Sequence, residues 1–143
     1  MNYLYRFISL FLMATTILTT NLNMLGAQET PAYQLAVLHT KSEEPNKKLS
    51  NKSIEPSRAV LAEFEWIMQS LQNRCLDSPP SIANTIVETW YVTQRKGGNL
   101  SLLEVARALL QMAQNTNLFG LNKVSFRVTS RYWLAKHFLS GKK

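Results

Sequence analysis

The chain has 143 residues, 16 Lys and Arg against 9 Asp and Glu, a formal net charge of +7, 45% hydrophobic residues and one cysteine. That length excludes two full domains, and the composition excludes collagen-like, low-complexity and wholly disordered polymers. The lone Cys75 cannot close an internal disulfide or supply a cysteine-based zinc or iron–sulfur site.

Residues 1–27 read as an address. Arg6 is the only charge ahead of Glu29, Phe7 to Thr20 is apolar with threonines in its second half, and the small pair Gly26-Ala27 follows. A basic start, a short apolar middle and a small-residue exit are the parts of a secretory signal peptide. Cleavage is expected after Ala27, which removes Arg6 and lowers the net charge by one. A membrane-spanning helix needs about 20 apolar residues. Leu4 to Leu25 reaches that length only by including Arg6, threonines and asparagines, so an uncleaved signal anchor is the alternative. The expected location is periplasmic or secreted, with membrane tethering as the second option.

Residues 28–56 read as a flexible, disordered linker. Pro31, Pro45 and Pro56 punctuate it, and Lys41, Glu43, Glu44, Lys47, Lys48 and Lys52 keep it polar. Such a stretch buries too little apolar surface to offset its chain entropy. Its one apolar patch, Tyr33 to His39, is read as a residual cluster in a loose tail, with a docking strip or part of the domain surface as alternatives.

Beyond Pro56 the apolar residues recur at helical spacing. From about 58 to 75, Val60, Phe64, Ile67, Leu71 and Cys75 fall on one face, widened by Leu61 and Met68, with Ser57 as N-cap. Asp77-Ser78-Pro79-Pro80 stops that helix and starts the next, because either polar side chain can cap and proline suits the first turn. The second helix, about 79 to 96, carries a band of Ile82, Ala83, Ile86, Val87, Trp90 and Tyr91 and leaves through Gly97-Gly98. The third, about 101 to 116, opens with Ser101-Leu102-Leu103-Glu104, the pattern of a capping box. The fourth, about 122 to 139, has Val124, Val128, Tyr132, Ala135 and Leu139 in register, with Trp133, Leu134 and Phe138 beside them. Its start, 123–129, alternates like a strand and leaves helix or extended backbone open.

These features predict an all-α domain over 57–143, a compact bundle or orthogonal array of about four helices with Trp66, Trp90 and Trp133 contributing buried area, followed by a basic tail. Lys123, Arg127, Arg131 and Lys136 concentrate charge in the last helix, and that segment holds no acid. Three cations at i, i+4, i+8 repel one another unless an anion lies nearby. One reading is a solvated face paired with Glu63, Glu65 or Glu88. The functional reading is contact with an acidic protein partner or an anionic membrane surface, and an exported chain with no nucleic-acid motif argues against nucleic acid.

Cys75 completes an apolar period and reads as a small core hydrophobe, with an intermolecular disulfide as the alternative. His39 and His137 lack a second ligand at metal spacing, Glu63 and Glu65 diverge on a helix, and no phosphate loop, GxSxG elbow or HExxH occurs. The triplets Asn51-Lys52-Ser53 and Asn99-Leu100-Ser101 fit glycosylation by chance. No cofactor or metal is expected. The sequence thus reads as an exported helical binding module working through its basic last helix. A small enzyme with a site between helices, or a scaffold that oligomerises through Cys75, are the alternatives.

Overall fold

The computed structural model describes residues 30–43, 55–115 and 123–139. Five helices follow in order: α1 Pro31–Ser42, α2 Arg58–Arg74, α3 Pro79–Arg95, α4 Leu102–Asn115 and α5 Phe126–Leu139. The fold is all-α, and all five belong to one unit that begins at Pro31. Segment 1–27, expected to be a signal peptide, and residues 44–54 of the expected linker lie outside the described residues.

Helix boundaries follow local chemistry. Ser57 caps α2 by accepting from the Val60 amide at 3.3 Å. Ser78 holds the N-cap position of α3 ahead of Pro79 and Pro80, whose missing amides need no partner. The end of α3 is a complete Schellman motif: Gly98 N donates to Thr93 O at 2.8 Å and Gly97 N to Gln94 O at 3.0 Å. That turn requires a left-handed residue, and Gly97 sits at φ 80°. The capping box of α4 forms in both directions. Ser101 N donates to Glu104 Oε2 at 2.7 Å, and Glu104 N donates to Ser101 Oγ at 3.2 Å. The first of these bonds holds the Glu104 carboxyl below the usual carboxylate range.

The linker expectation needs correction at its front. Pro31–Ser42 is a helix, and Ala32, Leu35, Ala36 and His39 are buried. Those positions are i, i+3, i+4 and i+7, one face of a helix. Alanine, leucine and histidine form too small a patch to register as a core stripe alone, yet together they close the open side of α2, α3 and α4.

The core is built around α4. It buries Leu102, Leu103, Val105, Ala106, Leu109, Leu110 and Ala113 and touches every other helix, as α3 also does. From α2 come Phe64, Ile67, Met68 and Leu71, and from α3 come Ile82, Ala83 and Ile86. Helix α5 contacts only α3 and α4. Thr89 meets Ser130, and Lys96 lies over the Phe138 ring at 5.0 Å, so α3 and α5 run in the same direction. Not all the expected core is inside. Trp66 and Tyr91 are each 57% exposed, Trp90 is half-buried, and only Trp133 of the three tryptophans is buried.

Residues 123–125 are not helical, which resolves the ambiguity at that point. Val124 forms an isolated parallel bridge with Cys75: Val124 N donates to Arg74 O, and Leu76 N donates to Val124 O, each at 3.1 Å. The helix begins only at Phe126, whose amide donates to Asp77 Oδ2 at 2.6 Å. Asp77 therefore caps a helix distant in sequence rather than the one it precedes, placing a carboxylate on the positive end of the α5 dipole.

The face of α5 is the reverse of the expected one. Phe126, Thr129, Ser130 and Trp133 point inward, whereas Val128 (65% exposed), Tyr132 (51%) and Leu139 (72%) point to solvent. Two large aromatics seven residues apart outweigh a longer run of smaller apolar groups, because buried area sets the energy. In denaturant unfolding, Leu109→Ala should cost about 2–5 kcal/mol. Val128→Ala and Leu139→Ala should each stay within about 0.5 kcal/mol of the parent. Large losses from the last two would place that stripe in the core.

Candidate functional site: the α3–α5 surface

The predicted basic residues do not form one stripe. Lys123 lies at a bend ahead of α5, outside the helix, so it is not stacked one turn below Arg127. Arg127 and Arg131 are one turn apart on the helix and both exposed. Lys136 is exposed too, but its position on the helical wheel puts it on the far side of the Val128–Tyr132–Leu139 ridge. The ridge is thus apolar along its crest, with Arg127 and Arg131 on one flank and Lys136 on the other. Val128, Tyr132, Ala135 and Leu139 are spaced 4, 3 and 4, the interval that keeps them on one face.

Of the acids expected to neutralise these cations, Glu63 is engaged elsewhere, and neither Glu65 nor Glu88 forms an ion pair with them; several other acids of the chain serve the fold. Glu63 on α2 takes both Nε and Nη2 of Arg107 on α4, the latter at 2.8 Å, and these bonds hold its carboxyl below the usual range. Asp77 caps α5, Glu104 caps α4, and Glu43 Oε1 lies 3.0 Å from His39 Nε2. Among the described residues no acid lies at ion-pair distance from Arg127, Arg131 or Lys136.

On the α3 side of α5 the surface opens into a pocket of about 190 Å³. Thr85, Glu88, Thr89 and Val92 line it from α3, and Arg127, Ser130, Arg131 and Leu134 from α5. Its floor is a buried hydroxyl pair. Thr89 Oγ1 lies 2.6 Å from Ser130 Oγ and donates to Thr85 O at 2.6 Å. A carbonyl only accepts, so the single Thr89 proton goes to it and Ser130 donates in the pair. Thr85, Thr89 and Thr93 recur at i, i+4 and i+8 beside the apolar band and are all buried. Sequence reasoning passed over them, although a hydroxyl ladder at helical spacing was legible. A second pocket of about 230 Å³ lies between α1 and α3, lined in part by Leu35, Leu38, Val87 and Glu88.

Cys75 is 2% exposed, closes α2 and is a free thiol. Burial pushes the thiol up to about 11; the nearby Asp77 charge adds to this and Arg74 opposes it. The intermolecular disulfide would require this end of α2 to open. His39 is buried edge-on to Phe64 at 5.9 Å, and His137 stacks on Trp133 at 4.8 Å. Among the described residues, no three His, Cys, Asp or Glu are grouped to hold a metal ion, and no helix is long and apolar enough to cross a membrane. Comparison with protein-family models, curated proteins and solved structures finds no match for this chain.

Two measurements check this site. Thr89→Val strips the acceptor from a buried Ser130 donor and should cost about 1–3 kcal/mol, whereas Ser130→Ala leaves Thr89 still bonded to Thr85 O and should cost about 0.5–1.5 kcal/mol. The double variant should be no less stable than Thr89→Val alone, so additive losses would refute the Thr89–Ser130 pairing. For Cys75, stability is unaffected below the ordinary thiol value of 9.0, where both states keep the proton. Between that value and about 11 the unfolded chain ionises first, so stability falls as pH rises. Urea titrations across that range should show a fall that Cys75→Ala lessens.

Proposed function

We propose that this protein is an exported helical interaction module whose outward α5 surface docks an acidic protein partner. The observation that carries the reading is the ridge of Val128, Tyr132 and Leu139, exposed to solvent and flanked by Arg127, Arg131 and Lys136 on a helix with no acid. Exposed apolar groups rimmed by charge are the anatomy of an interface, with aromatic and arginine side chains as its usual anchors.

The placement of Arg127 supports the same conclusion. It stands in the first turn of α5, where the helix dipole disfavours a cation by about 0.3–1 kcal/mol. Folding alone gains nothing from an arginine there, and Asp77 serves the helix terminus from another element. Complementary charge in a partner would convert that local cost into steering and specificity. An acidic amphipathic segment fits best, its apolar side on Tyr132 and Leu139 and its carboxylates toward both flanks. Docking on an anionic membrane is less favoured, because interfacial helices bury a broad apolar face and this crest offers one Leu, one Tyr and one Val. Export follows from the residue pattern of segment 1–27.

A photo-crosslinking side chain at position 132, introduced in the full chain and irradiated in its native compartment, tests the reading. A protein adduct is expected at 132, absent when the same group replaces Trp66, and reduced tenfold or more by Arg127→Glu with Arg131→Glu. An adduct indifferent to charge reversal, or none at all, refutes the proposal. A lipid adduct assigns the surface to the membrane instead.

A further inference from the structure

The pocket between α3 and α5 has a chemistry that the docking ridge does not require. The hydroxyl pair on its floor offers only lone pairs, because the Thr89 proton goes to Thr85 O and the Ser130 proton goes to Thr89, while Thr85 adds a hydroxyl of its own to the lining. On the same side stands Glu88, another pure acceptor at pH 7. Opposite are Arg127 and Arg131, pure donors in a fork geometry suited to a planar carboxylate. Glu88 and the two arginines line one pocket without closing on one another as an ion pair. Val92 and Leu134 supply an apolar stretch.

We propose that this pocket binds a small zwitterion of the free amino-acid class with an apolar side chain. The carboxylate meets Arg127 and Arg131. The ammonium, with three protons to donate, meets Glu88 and the Ser130 oxygen, and the side chain lies on Val92 and Leu134. Each half of the site rejects the wrong charge. A phosphate or sulfate would set its oxygens against Glu88 and against the Thr89–Ser130 pair, which has no proton left to donate, and a simple amine would leave the arginines unanswered. The volume of about 190 Å³ is below the roughly 300–1,000 Å³ of pockets for drug-sized ligands, which suits a single residue rather than a peptide or nucleotide.

Calorimetric titration of the full chain with three probes of one shape tests this: L-valine, isovalerate, which lacks the ammonium, and isobutylamine, which lacks the carboxylate. L-valine should bind at least tenfold more tightly than either. Glu88→Gln should bring L-valine down to the isovalerate level, and Arg127→Gln with Arg131→Gln should abolish its binding. Val128→Ser, on the ridge and outside the pocket, should leave it unchanged; because Arg127 and Arg131 serve both surfaces, the pair Val128→Ser and Glu88→Gln, each touching one surface only, tells failure of this site from failure of the docking surface. Glu88, Arg127 and Arg131 are exposed residues of the pocket lining, and thermal unfolding of each variant confirms that it is folded. Equal binding of L-valine and isovalerate, or no binding of L-valine, overturns the proposal.

Discussion

The structure depends on the drying of one helix. α4 carries seven buried apolar or alanine side chains in fourteen residues, and no other element could exclude water from them all. A band that wide needs neighbours on several sides, and α4 touches all four other helices. Its capping box fixes where the helix begins and hence which side chains enter the band. The fully buried leucines and valine of this helix are each worth about 1.5–3 kcal/mol, far more than the exposed Glu63–Arg107 pair that links the same helix to α2.

Helix α5 joins this core on different terms. It leans on α3 and α4 only, and much of its attachment is polar or backbone-mediated: the Asp77 cap, the Cys75–Val124 bridge and the Thr89–Ser130 hydroxyl pair. Phe126 and Trp133 supply the apolar anchorage. A helix held by two aromatics and a few directional bonds can leave its remaining apolar groups outside. Directional bonds also fix its rotation, so Val128, Tyr132 and Leu139 are presented in a defined arrangement rather than exposed by looseness.

Electrostatics divides the molecule in the same way. Glu43, Glu63, Asp77 and Glu104 each hold a hydrogen bond or ion pair that serves the fold. The cations of α5 are left without such partners among the described residues, and Glu88 alone shares their pocket. The positive surface is thus a consequence of where the acids are used as much as of how many bases the chain contains. The proposed ridge and pocket lie on either side of Arg127 and Arg131, one set by apolar exposure and the other by the direction of two hydroxyl protons.

Read as a string, the residues determined the all-α class, the ends of α2, α3 and α4, and the membership of Phe64, Ile67, Leu71 and Leu109 in the core. Caps, proline positions, the glycine exit and the 3.6-residue period act over a few neighbours, so they are legible without a fold. Tertiary structure alone decided that Pro31–Ser42 packs as a helix, that Asp77 caps α5, and that α5 turns Phe126 and Trp133 inward. Each of those outcomes is a competition between surfaces. A four-residue patch becomes a helix face only when a matching hollow exists, and a carboxylate chooses between two helix termini by which is closer in space. An amphipathic helix with apolar groups on both sides turns the larger ones to the core, because buried area rather than the count of apolar positions determines the free energy.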